Sequence, residues 1–180
     1  MMFYETCKAI REELLGEEHQ ATAATYNNLA CLYEKLNEYE KAEELYEKSL
    51  RICQKTLGEY HSDTARSYNN LAGVCVSLEK YEKAEELYEK SMKIWEMLLG
   101  KNHPDTAIAY NNLAFVYLMH KEYQNAILYD FKAYRVFMSH FGVSNAKTQQ
   151  IYENLKSLYL EWNTGGDFEQ WLKEKMKESD

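Results

Sequence analysis

Apolar residues recur along almost the whole chain at helical spacing. Tyr26, Leu29, Ala30, Leu32, Tyr33 and Leu36 fall at intervals of one helical turn, and Tyr39, Ala42, Leu45, Tyr46, Leu50 and Ile52 do so again. Each set marks one face of an α-helix turned towards a core. Only Asn37 and Glu38 separate the two runs, which leaves room for a tight antiparallel turn and nothing larger. The pattern predicts helical hairpins.

The hairpin is then repeated. Gly16, Gly58, Gly100 and Gly142 are each 42 residues apart, and Tyr-Asn-Asn-Leu-Ala recurs at Tyr26 to Ala30, Tyr68 to Ala72 and Tyr110 to Ala114. His19, His61 and His103 open equivalent segments ending at Thr22, Thr64 and Thr106, and the stretch from Tyr39 to Ser49 returns unchanged from Tyr81 to Ser91. Self-similarity at such a period is the mark of a stacked-repeat protein. Pro104 suits the first position of a helix, Asp63 and Asp105 place negative charge against its dipole, and each repeat-ending glycine suits a left-handed helix terminus. Ala30, Ala72 and Ala114, with Ala42, Ala84 and Ala126, sit where paired helices approach most closely.

The expected organisation is a single domain over residues 1–180. Residues 1–16 supply the second helix of an incomplete repeat, 17–58, 59–100 and 101–142 are complete repeats, and 143–180 hold a degenerate fourth repeat and a capping helix. In that last segment Lys156 replaces the small residue, Gly165 and Gly166 interrupt the linker, and Asp167 to Gln170 has the residue types of a capping box. Phe168, Trp171, Leu172 and Met176 form its apolar stripe.

Composition narrows the function. A content of 46% apolar residues is enough for a sizeable core, and one proline with seven glycines favours long helices over a turn-rich β fold. A net charge of −8 without a sustained basic stripe makes nucleic acid a poor partner. No segment has the length of apolar residues that a membrane span needs, and the N-terminus lacks the features of a signal peptide; the expectation is a soluble cytoplasmic protein. Cys7, Cys31, Cys53 and Cys75 lie too far apart for a C-x-x-C site and read as small apolar residues. The three repeated histidines are one hairpin thickness apart and cannot converge on a zinc ion, so they read as turn or inter-repeat hydrogen-bonding groups. With no phosphate loop, metalloprotease helix or nucleophile elbow either, the chain is expected to be no enzyme and to carry no cofactor or metal.

In its G-x-x-H-P-D-T-A, N-N-L-A and Y-x-x-A-E-x-L-Y elements the chain resembles the kinesin light chain class of tetratricopeptide (TPR) repeats, over roughly Gly16 to Gly142. Cys75 stands where this class has tyrosine. The resemblance implies an all-α fold, an α-solenoid of antiparallel hairpins in a right-handed superhelix, with the first helix of each repeat lining a concave groove. By the same likeness the floor of that groove includes Asn27, Asn28 and Cys31, then Arg66, Asn69, Asn70 and Gly73, then Ile108, Asn111, Asn112 and Phe115, with Asn154 in the fourth repeat. An asparagine amide both donates and accepts, so a ladder of them can grip the main chain of an extended peptide; the alternative is that one of each pair ties neighbouring repeats together. Gly73 between Cys31 and Phe115 would leave a shallow apolar pocket, and Arg66 would meet a carboxylate. The Lys and Arg cluster with which chaperone-binding TPRs clamp a C-terminal carboxylate is missing. The expected function is a scaffold for a protein or peptide ligand. The alternatives are a structural segment, with a homodimer through the N-terminal helix, and an allosteric peptide receptor.

Overall fold

A computed structural model describes residues 2–178. Among the described residues there are nine helices and no strand: α1 (Met2–Leu15), α2 (Gln20–Lys35), α3 (Tyr39–Leu57), α4 (Ser62–Ser77), α5 (Tyr81–Leu99), α6 (Pro104–Met119), α7 (Tyr123–Phe141), α8 (Ala146–Trp162) and α9 (Phe168–Lys177). The chain up to Leu98 forms one compact unit and the chain from Leu99 a second.

Each first helix begins in the same way. His19, His61 and His103 have extended backbones, and their Nδ1 atoms accept from the amides of Ala21, Asp63 and Asp105 at 3.1, 3.1 and 3.2 Å. This satisfies a donor that a helix N-terminus otherwise leaves open. Three residues after each histidine, the buried Thr22, Thr64 and Thr106 donate Oγ1 to the carbonyls of Gly16, Gly58 and Gly100 at 2.8, 2.8 and 2.9 Å. Histidine and threonine together fasten the inter-repeat loop to the helix it precedes. In the fourth repeat Asn145 takes over the cap, accepting from Lys147 and Thr148 at 2.9 and 3.2 Å.

The glycines differ from the expected left-handed helical conformation. Gly58 (φ 90°, ψ 169°) and Gly142 (φ 72°, ψ 177°) combine positive φ with an extended ψ, a region open to glycine because it lacks Cβ. The left-handed helical residues lie instead inside the hairpins, at Asn37, Glu79 and Lys121 (φ 59°, 57° and 61°). There the amides of Glu38, Lys80 and Glu122 bond back to the carbonyls of Tyr33, Cys75 and Tyr117 at 2.9, 2.8 and 2.8 Å, a Schellman turn that closes the first helix and reverses the chain.

Inside the first unit, α3 is joined to α2 by Ser49, whose Oγ donates to the Ala23 carbonyl at 3.0 Å, and α5 to α4 by Ser91 on Ala65 at 2.8 Å. The six alanines expected at close approaches are all buried. α1 lies on α2 through Arg11 on Thr25, Glu12 on Tyr26 and Glu5 on Tyr33. In the second unit the rings of Tyr152, Tyr159, Phe168 and Trp171 pack α9 onto α8, and Phe131 of α7 meets Trp171. Asp167 accepts from the Gln170 amide, so the capping box forms in its backbone half. Gly166 allows the turn into α9, since a Cβ there would lie 2.5 Å from Asn163 and from the Tyr159 hydroxyl. Among the described residues, no helix is long and apolar enough to cross a membrane.

Candidate functional site

The first helices of neighbouring hairpins flank one pocket in each unit. In the first unit Gln20, Ala24, Asn27 and Asn28 of α2 face Asp63 and Arg66 of α4 across about 260 Å³, with Ser49 and Cys53 of α3 at the base. The helical period brings these α2 residues to one edge, because positions 20, 24, 27 and 28 share a face. Asn28 is exposed, whereas Asn27 accepts from the Asn70 amide at 2.9 Å and so binds α2 to α4. Arg66 pairs with Asp63 one turn back at 2.7 Å, its side chain still largely in water. The guanidinium is thus partly neutralised by its own helix.

In the second unit Asn111, Phe115 and Leu118 of α6 face Gln150, Asn154, Ser157 and Glu161 of α8 across about 370 Å³, and Asp130 of α7 forms part of the wall. Asp130 is 2% exposed, and its Oδ1 accepts from the Asn111 amide at 2.7 Å. Burial pushes its carboxyl up to about 7, against the pull of the Asn111 hydrogen bond and the Lys147 charge. Asp130 was missed on the sequence, although the 42-residue register carries a signal for it: it stands where the first two repeats have Tyr46 and Tyr88.

The other expected floor residues divide between the units. Ile108 is exposed, and Asn69, Asn70 and Asn112 are half-buried, keeping some contact with water. The Cys31 thiol lies 2.9 Å from the Tyr46 hydroxyl, held in a side-chain contact within its own hairpin. Gly73 faces the Tyr88 hydroxyl, which is 3.6 Å from where a Cβ would be, so a methyl group there would make an ordinary contact with α5. Cys75 is buried and its thiol is pushed up to about 11 by desolvation, which keeps it protonated and unreactive. Among the described residues no group of three or more metal-ligating side chains gathers.

A sequence profile for the tetratricopeptide repeat matches residues 2–55, 37–95 and 63–139. No curated protein sequence matches the chain. Among solved structures, BtubC (BKLC) from P. vanneervenii is 28% identical, with a TM-score of 0.78 over 87% of this chain and 62% of its own. The chain thus spans about three fifths of the length of that protein. A Podosopora anserina protein described as a putative kinesin light chain with nearly identical TPR-like repeats is similar at 22% identity, with a TM-score of 0.77 over 97% of this chain and 81% of its own. The apo form of RapI is 18% identical with a TM-score of 0.75, covering 88% of this chain and 55% of its own. The last two likenesses speak to the fold.

Proposed function

Because the chain belongs to the tetratricopeptide repeat family, we propose that it is a non-enzymatic scaffold holding an extended peptide, or a helix of a partner protein, against the first helices of its hairpins. The observation that carries this reading is that each unit opens a pocket between successive first helices, walled by asparagines: Asn27 and Asn28 in one, Asn111 and Asn154 in the other. Amides at such walls supply donors and acceptors for a peptide main chain without demanding particular side chains. Asn27 and Asn70 spend part of this capacity on each other, which stiffens the wall and leaves Asn28 for the ligand.

Peptides selected from a random displayed library on the wild-type protein test this. The variant Asn28→Ala, Asn154→Ala should bind them about tenfold or more weakly, at roughly 1 kcal/mol per lost hydrogen bond, while its helical circular dichroism is unchanged. Undiminished affinity in the double variant overturns the scaffold reading of these two pockets.

A second reading rests on a different surface. Phe3, Ile10 and Leu14 follow one another along α1 at helical spacing and are 73%, 49% and 75% exposed. This stripe is self-complementary, and two copies of the chain would bury it by pairing their α1 helices. Light scattering should report a dimer that becomes monomeric in Phe3→Ser, Leu14→Ser; a wild-type monomer at all accessible concentrations ends this second reading.

A further inference from the structure

The three complete hairpins solve one packing problem in three ways. In the first, Tyr46 fills the space between the helices and its hydroxyl meets Cys31 at 2.9 Å and Glu34 at 3.1 Å. In the second, Tyr88 is retained and Gly73 and Val76 stand for Cys31 and Glu34. The third has Phe115, Leu118 and Asp130 at these positions. The ring has moved from the second helix to the first, the acid from the first helix to the second, and a cavity of about 370 Å³ lies beside them.

The geometry points to this cavity as a subsite for an arginine side chain of the bound peptide, with the guanidinium on Asp130 and the methylenes along Phe115 and Leu118. Burying a carboxylate beside the Asn111 amide costs stability that the Lys147 charge offsets in part, and a cation supplied from outside and bonded directly to it removes that cost. Arginine fits better than lysine: its planar fork has donors for the Asp130 carboxylate and for the Asn154 side-chain oxygen together, and its flat face can lie on the half-exposed Phe115 ring. Glu161, tied to the Tyr123 hydroxyl at 2.9 Å, adds a second negative charge to the wall. The chain's net charge of −8 favours a basic ligand at longer range. This inference names the side chain that the proposed peptide would carry, and so rests on the reading above.

N-acetyl-argininamide titrated into isotope-labelled protein tests the subsite whatever the partner's identity, and N-acetyl-citrullinamide is its uncharged counterpart. Saturable amide shifts confined to α6, α7 and α8 are expected with the arginine compound, and about tenfold weaker binding with the citrulline compound or with Asp130→Asn. The Lys compound should bind less well than the Arg compound. Equal shifts from arginine and citrulline in the wild-type protein, or no shifts at all, overturn the subsite whatever the fold of the variant. Library selection separates the two levels: selected peptides without an enriched arginine defeat the subsite and leave the scaffold standing, whereas failure to select any peptide defeats the scaffold reading itself.

Discussion

Asp130→Asn should be more stable than the wild-type protein by about 2–4 kcal/mol at about pH 8, and the two should converge as the pH falls towards about 4. The sign follows from where the proton sits. Asp130 has its carboxyl raised from 3.8 to about 7 in the folded chain, chiefly by burial. Between these values the folded state holds a proton that the unfolded state has released, so wild-type stability is highest below the unfolded value. It is lost as the pH rises through the folded one. At about 1.4 kcal/mol per pH unit the ceiling is about 4 kcal/mol, reduced to the extent that the adjoining pocket admits water. Asparagine keeps an oxygen for the Asn111 amide and never ionises. The groups facing Asp130 are Asn111 from α6 and, through its charge, Lys147 from α8. Carboxylates held low by lysines, such as Glu43, weaken both proteins alike in acid and cancel in the difference. Urea denaturation at several pH values measures it; a constant difference across the range would mean that burial leaves the Asp130 carboxyl where it lies in the unfolded chain.

The equivalent position in the first repeat should behave in the opposite way. Tyr46→Ala is expected to cost about 3–5 kcal/mol, because the side chain is 1% exposed and its removal leaves a void between α2 and α3. Tyr46→Phe keeps the ring and loses only the hydroxyl contacts with Cys31 and Glu34, for about 1 kcal/mol. Denaturant midpoints of the two variants give the comparison. Similar losses would show that the hydroxyl, and not the packed ring, holds this hairpin together.

The hairpins were readable because their signal is redundant: Tyr-Asn-Asn-Leu-Ala repeats three times, and the helices begin and end where that register places them. The glycine positions were readable too, but not their conformation, since a positive φ leaves ψ free to be helical or extended and the choice depends on the loop that follows, whether it is capped by histidine as after Gly58 or by asparagine as after Gly142. Asn37 is of a type that tolerates left-handed backbone, but Glu79 and Lys121 gave no warning of it, because the turn imposes that geometry on residues that do not favour it. At the candidate site, residue type was legible and pairing was not. Whether Asn27 reaches Asn70 depends on how one hairpin rotates onto the next, which spacing along one helix does not contain. Asp130 went unnoticed for a different reason: a search for matches between repeats passes over the position where the third repeat departs from the other two.

The unchanged stretch shared by α3 and α5 has a consequence for how the first unit assembles. Both copies present the same seryl hydroxyl to their partner helix, Ser49 to Ala23 and Ser91 to Ala65, so over these residues neither helix distinguishes its own partner from the other. Over these residues a shuffled pairing is therefore locally close in energy to the native one, a kinetic hazard common to arrays of like units. What breaks the tie is connectivity. Closing the short turn from α2 to α3 costs less chain entropy than looping out both α3 and α4 to bring α5 there instead, and the tether rather than the side chains enforces the native order.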